Sequence, residues 1–325
     1  MNFSGEPVEK ALLKKMADTI IYRGPDDEGF YTAPYIGLGQ RRLAIIDLRS
    51  EAAPPLSNED GSAWVVFNGE IYNYRELRAD LEYWEGQQGH PLDYPEKSKS
   101  YLLYKWADTL VHHPRVLDAV EDVIGPDILV YHSTMWIKEP HTPAHVRWHQ
   151  DGAYFFLHPH EHVTAWVALS EASEKAGCMR VVPGTHTLPM IEHDDKPGPH
   201  NMIKRGQGIS DRFDNEKGVS MPLRAGEMSL HHTALVHCSP GNDNDDRRMG
   251  LGISFIPAHV KPLGPVKPSA LLVRGTDRYG HFDPEARPTA DHDPAALAMH
   301  AEAVRRWHAA RTELIPRAHE GTAPA

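Results

Sequence analysis

The sequence predicts a mainly β protein with flanking helices, a jelly-roll or cupin-type barrel (a double-stranded β-helix) whose mouth holds a small ligand. Three observations lead there. Between residues 128 and 256 the chain breaks into short apolar runs separated by Pro, Gly and His turns, the pattern of strands in a folded-over β architecture. Helical periodicity leads into these runs and returns once after them. The first eighty-five residues follow another pattern, helix and strand mixed, and form a partial α/β segment ahead of the barrel.

Taken in order, residues 11–21 place Leu12, Leu13, Met16, Ile20 and Ile21 at helical spacing. Arg23-Gly24-Pro25-Asp26 ends that helix as a turn. Strands are expected at 35–38, 42–48 and 63–67, then a helix over 74–81. Trp84 to Pro91 is polar, glycine-containing and aperiodic, so it reads as a junction dividing the chain into 1–85 and 86–325. Residues 98–111 put Leu102, Leu103, Trp106, Leu110 and Val111 on one helical face. Residues 114–124 do the same with Val116, Leu117, Val120 and Ile124, and Gly125-Pro126 stops them. Strands follow at 128–137, 146–154, 163–169, 179–182, 227–236 and 250–256. A last helix, 295–314, packs its Ala-rich, Arg-studded face on the barrel.

Bulk properties narrow the partners. Across 325 residues the net charge is -11, which repels nucleic acid and anionic membrane surfaces. Two cysteines, Cys178 and Cys238, are too few for a disulfide framework. The N-terminal residues lack the basic and apolar regions of a signal peptide, and no apolar run is long enough to cross a bilayer. A cytoplasmic protein acting on a small molecule is the expectation. Nothing specifies an oligomeric state.

The chemistry concentrates in Arg147-Trp148-His149-Gln150-Asp151-Gly152. Side chains two apart on a strand share a side, so His149 and Asp151 make half of a metal site. A further imidazole from a distant strand, His237, gives two nitrogens and one carboxylate, a set that suits a non-haem Fe(II) keeping open positions. His231 and His232 rival His237. On an unbroken strand His231 shares its face and His232 does not. Downstream, Arg248 can grip a carboxylate by two charge-assisted bonds. It shares a strand face with Gly250, Gly252 and Ser254, which leave room for a dicarboxylate, while Arg247 shares the apolar face. His281-Phe282-Asp283 is a decoy, and the histidines of 158–162 belong to a solvated loop. Cys238 is a packed thiol.

Residues 101–257 resemble the phytanoyl-CoA dioxygenase family of Fe(II)/2-oxoglutarate oxygenases. The resemblance rests on Trp148-His149-Gln150-Asp151-Gly152-Ala153-Tyr154, Ala165-Trp166-Val167-Ala168-Leu169, Gly177-Cys178-Met179-Arg180-Val181-Val182-Pro183-Gly184-Thr185-His186, and His237-Cys238-Ser239 through Asn242 to Arg248. It implies His149, Asp151 and His237 as iron ligands and Arg248 as the clamp on the distal carboxylate of 2-oxoglutarate. Trp166, Ser239 and Thr134 would line the co-substrate pocket. The cofactors implied are Fe(II), 2-oxoglutarate and O2, with release of succinate and CO2. Related halogenases carry Gly or Ala where Asp151 stands, so the carboxylate favours hydroxylation, with desaturation still open.

Residues 10–82 resemble the glutaminase domain of asparagine synthetase, a class II glutamine amidotransferase. Tyr22-Arg23-Gly24-Pro25-Asp26, Gln40-Arg41-Arg42-Leu43-Ala44-Ile45-Ile46-Asp47, Pro55-Leu56-Ser57-Asn58 and Phe67-Asn68-Gly69-Glu70-Ile71-Tyr72-Asn73 carry it. There Arg42 would hold the glutamine carboxylate and Asn68-Gly69 the oxyanion. Residue 2 is Asn and no cysteine precedes Cys178, so the nucleophile of that family is not in place and an inactive remnant is expected. Two other function classes thus stand beside the oxygenase: glutamine-dependent amide transfer, and a metal-binding cupin-like module without catalysis.

Overall fold

The computed structural model describes residues 8–19, 21, 27–33, 36–42, 56–57, 64–65, 73–195, 198–203, 207–209, 213 and 218–312. Its contacts divide the chain into two compact units, Met1–Gly69 and Glu70–Ala325.

In the first unit, α1 (Lys10–Asp18) accompanies an antiparallel hairpin of β1 (Asp27–Ala33) and β2 (Ile36–Arg42). A Cβ on Gly37 would come within 2.6 Å of the Leu13 side chain, so the bare backbone lets the helix approach the hairpin. A short pair, β3 (Leu56–Ser57) and β4 (Trp64–Val65), completes the described residues. β1 was not expected, because Asp27-Glu28-Gly29 opens it with residues that strands disfavour. Most of the strand expected at 42–48 lies outside the described residues.

The second unit begins with α2 (Tyr74–Gln88), and here the sequence reading is corrected. The stretch read as a junction is helical to Gln88 and ends on Gly89, left-handed at φ 75°. Gly86 stands where an added Cβ would meet nothing within 4 Å, so it weakens the helix by only about 1 kcal/mol. Tertiary contacts outweigh that. Arg78 meets Asp246 at 2.8 and 2.9 Å, Arg247 meets Glu85 at 2.6 and 3.0 Å, and Trp84 stacks on His292. The helix expected over 98–111 is likewise split. A 3-10 turn (Ser100–Leu102) precedes α3 (Lys105–Val111), with Tyr104 extended between them. α4 (Pro114–Ile124) starts on its proline and stops at Gly125, as expected.

The strands are β5 (Ile128–Lys138), β6 (Val146–His149), β7 (Leu157–His158), β8 (Val163–Ala168), β9 (Met179–Val181), β10 (Asp194–Asp195), β11 (Gln207–Gly208), β12 (Val219–Met221), β13 (Met228–His232), β14 (His237–Ser239), β15 (Arg248–Pro257), β16 (Lys261–Pro262), β17 (Ser269–Arg274) and β18 (Asp283–Pro284). A one-turn helix, α5 (Gly152–Phe155), follows β6, and α6 (Pro294–Thr312) closes the described chain. Two sheets form the jelly roll, a six-stranded one in the order β13-β8-β15-β5-β17-β18 and a four-stranded one in the order β12-β9-β14-β6. β8 and β15 are buried along their whole lengths. Their inward residues line a cavity, and α4 covers the other side with Val116, Leu117 and Val120. α6 packs Val304, Trp307 and Ala310 inward, which is the packing role expected of it. No helix among the described residues is long and apolar enough to cross a membrane.

Two further strand expectations change. Residues 227–236 are not one strand, since β13 ends at His232 and a turn carries the chain to β14 in the other sheet. Face-sharing along an unbroken strand therefore does not relate His231 to His237. The 146–154 run also breaks. Asp151 is helical (φ -57°, ψ -37°) and immediately precedes α5, so alternation along a strand is not what aligns it with His149.

Candidate metal centre

β6 and β14 are neighbours in the four-stranded sheet, and His149 stands directly opposite His237. Each ring is fixed the same way. His149 Nδ1 lies 2.9 Å from the Arg147 carbonyl, and His237 Nδ1 lies 2.9 Å from the Leu235 carbonyl. A carbonyl only accepts, so both Nδ1 atoms carry a proton, and both Nε2 atoms are the ones turned towards the site. The turn at Gln150 brings Asp151 beneath them, with Oδ1 3.5 Å from His149 Nε2 and 3.7 Å from His237 Nε2. One donor atom from each of the three residues falls within 4.8 Å of the other two.

Burial holds the His237 imidazole neutral, well below its ordinary range. Burial alone would raise the Asp151 carboxyl, but the surrounding His237, His149 and His231 hold it well below the usual carboxylate range. Two imidazoles and one carboxylate on one face, with both imidazoles anchored from behind, fit a divalent transition metal that keeps several positions open.

Beside this face the cavity ends in cations. Arg248 begins β15 and is buried. Its Nη1 donates to the Gly177 carbonyl at 2.9 Å and to Ser239 Oγ at 3.2 Å, and its guanidinium lies 5.0 Å from the Trp166 ring. Its Nε has no hydrogen-bond partner among the described residues. No carboxylate pairs with it among the described residues, and burial lowers its pKa to about 10. Behind Ser239 lies fully buried Lys138, which donates to Ser239 Oγ and the Pro240 carbonyl. Burial and then Arg248 push its ammonium down to about 6. A buried guanidinium with an orphaned donor and no counter-charge is costly unless an anion joins it, and a carboxylate suits that geometry.

The cavity between the sheets measures about 340 Å³ and is lined by His149, Asp151, His237, Arg248, Trp166, Ser239 and Thr134. The seven residues that the oxygenase resemblance singled out thus border one space. Gly252 and Ser254 line this cavity as expected, whereas Gly250 does not, and both glycines also accommodate indoles. A Cβ on Gly250 would meet Trp166 at 2.2 Å and one on Gly252 would meet Trp136 at 3.1 Å. The glycines make room for two indoles, and the Trp166 indole forms the wall of the ligand space.

Other residues were missed. Thr164 lies two before Trp166 on β8 and lines the same cavity, a relation that strand alternation alone reveals. Lys138 had no local signal. Trp307 and Arg311 reach the cavity from α6, one helical turn apart. His231 enters from β13 and lies 3.3 Å from Asp151 Oδ2, so the rival histidine is a neighbour of the site. The solvated-loop reading also fails at His162, which is fully buried against Thr233. Phe282 of the decoy is core and Asp283 pairs with Lys267. Cys238 is buried, and burial pushes its thiol up to about 12, in keeping with a packed residue. In the first unit, Asn68, Gly69 and the Arg42 side chain lie outside the described residues.

Comparison with known proteins agrees with both halves of the chain. Residues 102–250 match the phytanoyl-CoA dioxygenase (PhyH) family, and residues 2–92 match a glutamine amidotransferase domain. The human peroxisomal phytanoyl-CoA dioxygenase is 31% identical over 150 residues, 45% of this chain and 44% of that protein. Asparagine synthetase 1 of Bacillus subtilis is 49% identical over 74 residues, 23% of this chain but 12% of the synthetase. The chain therefore spans less than half the length of either curated relative. Among solved structures, the non-heme monooxygenase ThoJ superposes with a TM-score of 0.69 at 31% identity, covering 78% of this chain and 95% of that one. The chain thus carries a phytanoyl-CoA dioxygenase (PhyH) domain over residues 102–250, with amidotransferase-like sequence ahead of it.

Proposed function

We propose that this protein is an Fe(II)- and 2-oxoglutarate-dependent dioxygenase that hydroxylates a small molecule and releases succinate and CO2. One observation carries the reading: the His149, Asp151 and His237 donors face a cavity whose next wall holds buried Arg248, with no anionic partner among the described residues. Iron held by those three residues would supply the oxygen chemistry. The rest falls to the chain. Arg248 and Ser239 bind the distal carboxylate of 2-oxoglutarate, Trp166 and Thr134 flank it, and the mostly apolar cavity excludes water around the reacting groups. Asp151, by filling its ligand position, favours hydroxylation.

The test is succinate formation by the full chain supplied with Fe(II), 2-oxoglutarate and oxygen. Slow uncoupled turnover makes this readable before the substrate is known. His149→Ala and Arg248→Ala should each abolish it. Succinate at wild-type rates from both variants would refute the assignment. Binding of iron and 2-oxoglutarate without any succinate would favour a non-catalytic module.

A further inference from the structure

The two oxygens of Asp151 have different partners. Oδ1 faces His149 and His237 at 3.5 and 3.7 Å. Oδ2 takes the Thr164 hydroxyl at 2.8 Å and His231 Nε2 at 3.3 Å. An ionised carboxylate only accepts, so Thr164 and His231 both act as donors. His231 Nδ1 has no hydrogen-bond partner among the described residues, so the nitrogen engaged is the one turned to Asp151.

The two donors stand opposite each other on adjacent strands, His231 of β13 paired with Thr164 of β8. Both strands belong to the six-stranded sheet, whereas His149 and His237 come from the four-stranded one. Asp151 sits on the turn after β6 and is held across the barrel by the opposite sheet. This matters because a carboxylate can grip a metal through one oxygen or two. A second oxygen would take a position that 2-oxoglutarate and oxygen need.

We infer that His231 and Thr164 are positioning residues that occupy Asp151 Oδ2, so that Oδ1 alone is presented to the iron site and a coordination position stays open. This inference rests on the metal-centre reading proposed above. The three donor atoms grouped within 4.8 Å belong to His149, Asp151 and His237, which leaves His231 outside the ligand set. Such outer partners typically change metal affinity by about 10–100-fold.

Metal-free full-length protein is titrated with Co(II) and followed by its visible d–d absorption, which reports affinity and coordination together. His231→Phe and Thr164→Val keep bulk but remove the donors. Each should weaken binding by about 10–100-fold and alter the band shape, with metal-free melting temperatures near that of the parent. His231→Gln, whose amide can still donate, should recover most of the affinity and the parent spectrum. If His231→Phe does not fold, Thr164→Val and His231→Gln carry the test. Parent-like affinity and spectrum in both Thr164→Val and His231→Phe would overturn the inference. So would a His231→Gln variant as impaired as His231→Phe, because His231 would then be a ligand. A parent protein that binds no Co(II) would instead refute the metal centre itself, which keeps the two failures distinct.

Discussion

Replacing Gly250 by alanine tests how the co-substrate end of the cavity is built. A Cβ there would lie 2.2, 2.4 and 2.7 Å from three atoms of the Trp166 indole, where ordinary contact begins near 3.4 Å. The ring must therefore withdraw by about 1.2 Å, since no van der Waals contact tolerates such an approach. The backbone cannot yield instead, because Gly250 is held in register between Trp136 of β5 and Ala168 of β8, inside the larger sheet. The indole is driven into the space it shares with Arg248. Overpacking of this kind costs about 1–3 kcal/mol of stability, and a displacement of about 1 Å beside a reacting group costs on the order of 100-fold in rate. The assay is calorimetric titration of 2-oxoglutarate into the Co(II)-loaded protein, with the melting temperature measured in parallel. Gly250→Ala should melt lower and bind 2-oxoglutarate at least about tenfold more weakly, as a loss of about 1.4 kcal/mol implies. Gly252→Ala should be milder, because its nearest neighbour would be Trp136 at 3.1 Å. A Gly250→Ala protein with parent-like binding and melting would refute the argument.

The remaining predictions concern the frame. Gly177 has φ +69°, and a Cβ there would lie 2.2 Å from the Gly241 carbonyl oxygen. Since only backbone could give way, Gly177→Ala should lose about 4 kcal/mol or more, or yield no folded protein on expression. Lys99 and Glu285 are buried 2.5 Å apart, and Tyr101 and Ser269 also donate to that carboxylate. Glu285→Gln strands the Lys99 charge and should cost about 3–5 kcal/mol in urea denaturation, whereas a loss under about 1 kcal/mol would mean that Lys99 adapts by shedding its proton. Lys138 has a folded pKa near 6, below its unfolded value of 10.5. The unfolded chain holds that proton across the interval, so this residue's contribution to stability rises with pH from about 6 towards 10.5 and is lost as pH falls through 6. The melting temperature of metal-free protein between pH 6 and 9 should climb less steeply in Lys138→Met than in the parent. An unchanged slope would refute the shift.

How much of the site could be read in advance differs by residue. That Arg248 and not Arg247 faces the cavity was legible because alternation holds at the start of β15, so Arg247 meets Glu85 and Glu139 while Arg248 turns inward. The same rule chose a sound neighbour for His149 by a route the chain does not take, since Asp151 lies past the end of β6. At residues 228–239 alternation fails altogether, because two strands of different sheets replace the one expected.

Short-range chemistry determined the kinds of element, the turn and cap residues, and the identity of the donors. These depend on neighbours within a few positions, and helical or strand periodicity records them directly. Tertiary structure alone decided that α2 continues through the apparent junction, that two glycines exist to admit indoles, and that His231 and Thr164 reach Asp151 from the opposite sheet. Each of those outcomes depends on which surfaces meet after long loops close. Pairing free energy between distant strands sets that, and no local pattern in the chain encodes it.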